Sequence, residues 1–288
     1  MRIWGPRGGD MVGTEAGVRE ADHLPPVVTI NAAGASPFVL VYDHASNRFP
    51  ERYGDHGLSP HQRLMHIAWD PGALAVAMQL ADLLDAPLIY STVSRLIVDC
   101  NRRQDAIDLI PITSERTEIK ANAGISQSER DLRVARYHAP FHTTIESLLE
   151  ERERAGVETI LVTVHSFTPT YKDAQRPWPI GLIHGTAERF THALFAALKA
   201  EDPSLNVGWN EPYSARNGVT YTLENHGDGR GLDCTMIEIR HDEILEPAGI
   251  ALWANRLART LVDARGALTG SPAPDRQNFT SLTGGSNG

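Results

Sequence analysis

Two histidines, His44 and His165, directly follow runs of β-branched and apolar residues, "FVLVYD" before the first and "ILVTV" before the second. A side chain at such a place is held by rigid backbone and still reaches the crevice outside the strand ends, which suits metal ligation. A catalytic zinc commonly takes three protein ligands of imidazole or carboxylate type and leaves one position for water. One histidine alone reads more simply as a hydrogen-bonded end-of-strand residue, but two in matching positions favour a shared ion. The third ligand is open. Asp70, in "HIAWDPGA", either supplies a carboxylate or caps a helix that starts at Pro71. His66 lies four residues earlier and, if that segment is helical, shares a face with Asp70 as a supporting or packing residue.

Other polar residues stand at similar places. "SRLIVDCNRRQD" brings Ser94, Arg95, Asp99, Asn101 and Arg102 together, and guanidinium and amide donors near a strand end suit a substrate carboxylate. Arg103 and Asp105 read as a solvated surface pair. Glu238 alternates with Ile237 and Ile239 in "MIEIR", so it leaves the apolar side of its strand and is either ion-paired or a general base. The polar stretch "NEPYSARNGVTYTLENHG" offers Tyr213, Tyr221, Thr222 and His226 as pocket residues. Arg133, Arg136 and His142 fall on a long charged helix, where surface charge is the expected role. Ser166 beside His165 lacks a G-x-S-x-G elbow, and neighbours on a strand face opposite ways, so a serine hydrolase is disfavoured.

These residues need a frame. Short β-rich runs alternate with longer amphipathic ones, from "PFVLVYD" and "GALAVAMQLADLLDA" to "CTMIEIR" and a last helix near 247–265. That order predicts a mainly parallel, mixed α/β sheet with helices on both faces. "LIYSTVSRLIVDC" reads as one strand, Ser126 with Glu129 as a capping box, and Pro140 as a kink or stop in the long helix. With 288 residues, 41% of them hydrophobic, the chain can bury one large core. The expected folded domain is 27–267, between a loose segment 1–26 and a Gly/Ser/Pro-rich tail 268–288. A net charge of −9 argues against nucleic-acid and anionic-membrane partners and for a small-molecule ligand. No apolar run approaches the roughly 20 residues that span a bilayer. Cys100 and Cys234 sit in apolar runs as reduced thiols, so a cytoplasmic setting is expected.

In order and spacing, "YDHASNRFP", "HIAWDPGA", "VSRLIVDCNR", "HSFTP", "RPWPIGLI", "NEPYS", "YTLENHG" and "IEIRHD" resemble the N-formylglutamate amidohydrolase family, from about Phe38 to Asp242. The resemblance implies a zinc hydrolase of carboxypeptidase-like fold that acts on N-acyl amino acids such as N-formylglutamate. It implies that "DCNR" holds a substrate carboxylate through Asn101 and Arg102, that "VTVHS" supplies His165 as a Zn2+ ligand, and that "IEIR" supplies the catalytic Glu238. There is one departure. The wider superfamily takes its first ligands from His-x-x-Glu, but the residue three after His44 is Asn47, so the missing carboxylate comes from elsewhere and Asp70 is the nearest candidate. "DHASNRFP" also differs from the Pro-His-Ser-Gly type stretch of the histidine-degradation deformylases, so the reaction is implied more firmly than the substrate.

The mechanism so implied has Glu238 taking a proton from the attacking water, Arg95 stabilising the oxyanion, and Tyr213 and Thr222 lining the substrate side. Two other classes compete with it. One is an amino-acid-binding or regulatory module that has lost metal or base. The other is a peptidase-like carboxypeptidase relative.

Overall fold

The computed structural model describes residues 24–214 and 218–270; of the loose segments expected at 1–26 and 268–288, residues 1–23 and 271–288 lie outside the described residues, while 268 and 269 continue the last helix. Seven strands form one sheet: β1 (Val27–Ile30), β2 (Phe38–Tyr42), β3 (Leu88–Ser91), β6 (Ile160–Phe167), β9 (Ile180–Ile183), β10 (Val207–Trp209) and β11 (Asp233–Arg240). Two ribbons, β4 (Thr113–Ser114) with β5 (Thr117–Glu118) and β7 (Thr170–Tyr171) with β8 (Ala174–Gln175), complete the strands. The sheet order is β1-β3-β2-β6-β11-β9-β10. Four of its pairs run parallel, while β1–β3 and β11–β9 run antiparallel. This is the mainly parallel mixed sheet that the alternation of runs predicts.

Among the described residues seven α-helices follow one another: α1 (Pro60–Leu64), α2 (Ala73–Leu84), α3 (Gln127–Arg133), α4 (Ala139–Arg154), α5 (Arg189–Glu201), α6 (Tyr221–His226) and α7 (Pro247–Thr269). Strand parity decides which face each residue enters. Leu40, Tyr42, Val162, Val164, Ile237 and Ile239 pack under α2, α5 and α7. Val39, Val41, Leu161 and Met236 point the other way, onto Phe141, Ile145 and Leu149 of α4 and Leu223 of α6. Both faces are therefore covered, and these strands have no solvent side. Among the described residues, no helix is long and apolar enough to cross a membrane.

Several local expectations change. "LIYSTVSRLIVDC" is a strand only to Ser91. Beyond it the chain leaves the sheet, and Val93, Ile97 and Val98 fill a separate small core with Tyr137, so burial rather than strand pairing explains that apolar run. Asn101 and Arg102 consequently lie in a turn, not at a strand end. Ser126 does cap α3, accepting from Glu129 N–H, but Glu129 bonds Arg133 instead of closing a capping box. Ahead of Pro140 the helix widens into a π-turn over Val134–His138, with Ala139 N–H reaching back to Val134 O. Residues 66–69 form a turn, so His66 and Asp70 share no helical face.

Candidate metal centre and active site

The carboxyl ends of β2, β6 and β11 meet in mid-sheet. β6 and β11 pair in parallel with Glu238 beside His165, so both side chains leave the sheet on one face. Asp43 and His44 continue β2 toward the same point. Asp70 arrives from the next segment and does not cap a helix: the N-cap of α2 is Gly72, at φ 82. That left-handed turn separates Asp70 from the helix, and a Cβ at Gly72 would lie 2.5 Å from Ile244 O. Asp70 is instead pinned by its backbone, its N–H donating to His44 O at 3.0 Å and its carbonyl accepting from Tyr42 Oη at 2.5 Å.

Its side chain faces the histidines. Asp70 Oδ2 lies 3.1 Å from His165 Nδ1 and 3.4 Å from His44 Nδ1. Asp43 Oδ1 approaches the same two nitrogens, at 3.5 Å from His44 and 3.6 Å from His165. Asp43, His44 and His165 each offer a ligand atom within 4.8 Å of the others. Asp43 had drawn no role from sequence, although "YDH" places it directly against His44. The other nitrogen of His44, Nε2, is 2.8 Å from Asp99 Oδ1. An anionic acceptor there fixes the proton on Nε2 and turns the Nδ1 lone pair toward the cluster.

So many buried anions around two imidazoles call for positive charge. Burial and Arg95 work against a charged His44, but Asp99, Asp43 and Asp70 outweigh them and push its pKa up to about 10. Burial likewise opposes the His165 cation, yet Asp43 and Asp70 raise its pKa. Asp70 is held below the usual carboxylate range by both histidines in spite of its own desolvation. Burial, opposed by His165, pushes Glu238 up to about 7. Asp43 Oδ1, His165 Nε2 and Glu238 Oε2 are all buried without a hydrogen-bond partner. Each such atom costs about 1–3 kcal/mol in a packed interior, so their coincidence fits a site made for a cation and a reacting ligand.

The cluster opens into a cavity of about 500 Å³ whose walls include Arg95, Arg102, Arg176 and Tyr213. Arg95 is gripped by Asp99 Oδ2 at 2.7 Å and lies 3.6 Å from Asp70 Oδ1. Arg102 pairs with Asp108 at 2.8 Å and donates to Gly218 O. Two of the expected substrate residues serve the frame instead. Thr222 is completely buried, away from the cavity, and its hydroxyl donates to Asp43 Oδ2 at 2.9 Å. Asn101 reaches the cavity wall, but its amide nitrogen is bonded to Val219 O and its oxygen to Thr222 N–H.

Arg133 and His142 are also not surface charges. Arg133 is buried against Ile97 O and Asn122, because the turn that carries "RLIVDC" folds over its helix. His142 donates to Cys100 O and meets His226 at 2.8 Å, joined by His138, which donates to Arg102 O. These three rings brace the turn bearing Asp99 and Arg102 from behind. Arg136 is exposed, and Arg103 with Asp105 forms the expected solvated pair.

The family model of N-formylglutamate amidohydrolase matches residues 36–245. No curated protein matches the chain. Among solved structures it is similar to the gene product Atu2144 from Agrobacterium tumefaciens, with 38% identity over 85% of this chain and 96% of that one, at a TM-score of 0.83. It is also similar to the N-formylglutamate amidohydrolase from Ralstonia eutropha, with 20% identity over 86% of this chain and 100% of that one, at a TM-score of 0.63. At that identity the second likeness speaks for the fold alone.

Proposed function

This chain belongs to the N-formylglutamate amidohydrolase family, and from that premise we propose that it is a zinc-dependent hydrolase that cleaves the amide bond of an N-formyl or other N-acyl amino acid. The observation that carries the reading is the group of two imidazoles and two aspartates at the strand ends, with unpartnered atoms on Asp43, His165 and Glu238. Imidazole with carboxylate is a donor set that suits zinc. His44, His165 and Asp70 hold the ion in this reading, and Asp43 stands beside them as the second carboxylate. Bound there, Zn2+ would supply Lewis-acid polarisation of a carbonyl and would lower the pKa of a water toward neutrality.

The protein's own groups do the rest. Glu238, ionised in part near pH 7, accepts the proton of the attacking water and returns it to the leaving nitrogen as the C–N bond breaks. Arg95, held rigid by Asp99, points a guanidinium at the oxyanion. Arg102 receives the α-carboxylate, with Asn101 tying its turn to the 219–222 segment. Tyr213 closes the far wall. The products are a carboxylic acid, formate for a formyl substrate, and a free amino acid.

The experiment is direct. Purified protein reconstituted with zinc is incubated with N-formyl-L-glutamate, and formate and glutamate are measured together with bound metal. Stoichiometric zinc with equal release of both products supports the reading. Hydrolysis unchanged after chelation would defeat its metal dependence, and firm zinc binding without turnover of any N-acyl amino acid would favour a binding module.

A further inference from the structure

Two chain segments outside the main sheet meet at the cavity. The β4–β5 ribbon follows the turn of Asp99 and Arg102, the β7–β8 ribbon runs between His165 and Arg176, and each is a separate two-stranded sheet. Thr113 and Glu115 of the first and Tyr171 of the second line the cavity, as does His66 of the turn that delivers Asp70. Glu115 joins all three segments. Its Oε1 accepts from Lys172 N–H, at the tip of the other ribbon, at 3.3 Å, and its Oε2 lies 3.2 Å from His66 Nε2. Next to it Arg116 donates to Asp173 across the two tips. Lys172 and Asp173 stand in left-handed backbone at φ 48 and 71, the two-residue hairpin turn that Asn-Gly fills most easily. Asp173 occupies the glycine's usual place there and gives its carboxylate to Arg116. These ties are loose. The side chains of Arg116 and Asp173 are 66% and 82% exposed, so water screens the pair. The Lys172 amide bond is long, and His66 Nε2 is buried but not aligned on Glu115 as a hydrogen bond. Two-stranded ribbons have little stability of their own, and weakly tied surface elements of this kind are the ones that open and close.

We propose that the two ribbons form a clasp that parts to admit the substrate and closes over it, with Glu115 as the positioning residue that ties this closure to the turn carrying Asp70. The part played in catalysis rests on the hydrolytic reading above. The clasp itself rests on the contacts between the ribbon tips. Closed, it walls the cavity on the side of His66 and Tyr171 and keeps bulk water from the reacting carbonyl. Because Glu115 faces His66, four residues before Asp70, closing the ribbons and placing the Asp70 carboxylate are one movement. The main sheet takes no part in it, since neither ribbon pairs with a sheet strand.

Three measurements on the full chain test this. The first needs no turnover. In Asp173→Ala, hydrogen exchange followed by mass spectrometry should quicken about 10-fold in the opposite ribbon, 113–118, as well as in 170–175. Quickening confined to 170–175 would overturn the clasp. In the second, Arg116→Cys combined with Asp173→Cys is joined by a reducible bis-maleimide, which spares Cys100 and Cys234 because both are buried. The linked, zinc-loaded protein should lose about 10-fold or more of its kcat/KM on N-formyl-L-glutamate and regain it on reduction. Undiminished kcat/KM in the linked state would mean that the ribbons need not part, and the proposal falls. In the third, Glu115→Gln keeps an acceptor for Lys172 but not the charge that faces His66. Its kcat should fall about 10-fold while KM, zinc content and melting temperature stay native, and an unchanged kcat would remove Glu115 from positioning. If no N-acyl amino acid is hydrolysed while exchange in the two ribbons remains coupled, the hydrolytic reading fails and the clasp stands.

Discussion

Asp99 is the buried carboxylate on which the metal-facing geometry leans hardest, and replacing it by Asn tests that. Its two oxygens take three donors: His44 Nε2 at 2.8 Å, Asn101 N–H at 2.9 Å and Arg95 Nη2 at 2.7 Å. An Asn at this position has the same shape, but one of its ends becomes a donor. If the amide nitrogen faces Arg95, two donors oppose each other and Arg95 keeps only the longer 3.6 Å approach to Asp70. If it faces His44, it also meets the Asn101 N–H donor against donor, and the imidazole must turn its Nε2 into an acceptor and move its proton to Nδ1, the atom 3.4 Å from Asp70. Either way one charge-assisted bond is lost, worth about 1.5–3 kcal/mol of stability. Partners of this kind commonly cost about 10–100-fold in metal affinity when removed. We expect Asp99→Asn to bind zinc about 10–100-fold more weakly in competition with a fluorescent chelator, and metal-free protein to melt at lower temperature than native. Native zinc affinity in a destabilised variant would reduce Asp99 to a structural tie and remove the reason for reading His44 Nδ1 as a ligand atom.

Other outcomes follow from the same geometry. Glu238→Gln should fold and retain zinc while turnover drops by roughly 100-fold or more; loss of zinc in that variant would make Glu238 a ligand instead of the base. Asp70→Asn and Asp43→Asn, compared by elemental analysis, assign the carboxylate ligand: the first should lose most of its zinc, and retention of full metal and activity would hand the role to Asp43. Gly72→Ala forces a side chain into the left-handed region and toward Ile244 O at 2.5 Å, so urea denaturation should report a loss of about 2 kcal/mol or more; native stability would mean that the turn is not fixed. Burial, helped by neighbouring cations and imidazoles, holds His142 down at about 2 and His226 at about 4. Their folded values lie below the unfolded one, so the unfolded state binds more protons and stability falls as pH drops below about 6.5, by up to about 1.4 kcal/mol per unit for each histidine. Melting temperatures between pH 7 and 5 should fall less steeply in His142→Gln than in the native protein.

The fold was largely legible because periodicity and burial agree over the main elements. "PFVLVYD", "ILVTVHSF" and "CTMIEIR" are buried on both faces, as parallel strands are, and the amphipathic runs between them became α2, α5 and α7 nearly at their expected bounds. Legibility failed where an apolar run is buried without pairing. Leu96, Ile97 and Val98 look like strand residues, yet they fill small cores beneath a turn, and hydrophobic pattern alone does not separate the two. The misread surface charge of Arg133 has the same cause: that turn covers a helix face which local sequence presents as solvated.

The site was legible in its types more than in its partners. His44, His165 and Glu238 stand out in the sequence because each ends or interrupts an apolar strand, a signal carried within a few residues, and the fold brings the three side chains to one place. The roles of Asp99 and Thr222 come from pairings 55 and 179 residues apart in sequence, and no local pattern carries those. Asp70 shows how a local rule can mislead. Asp followed by Pro is good N-cap grammar, but Gly72 intervenes in a left-handed turn, and the carboxylate that would have closed a helix is released toward two imidazoles. Arg176 is the converse. As one arginine in "QRPWP" it carries no signal, and its place in the cavity wall, held by three aromatic rings, appears only in the fold. Charge balance across the cavity depends on which residues meet in three dimensions, and local sequence therefore does not supply it.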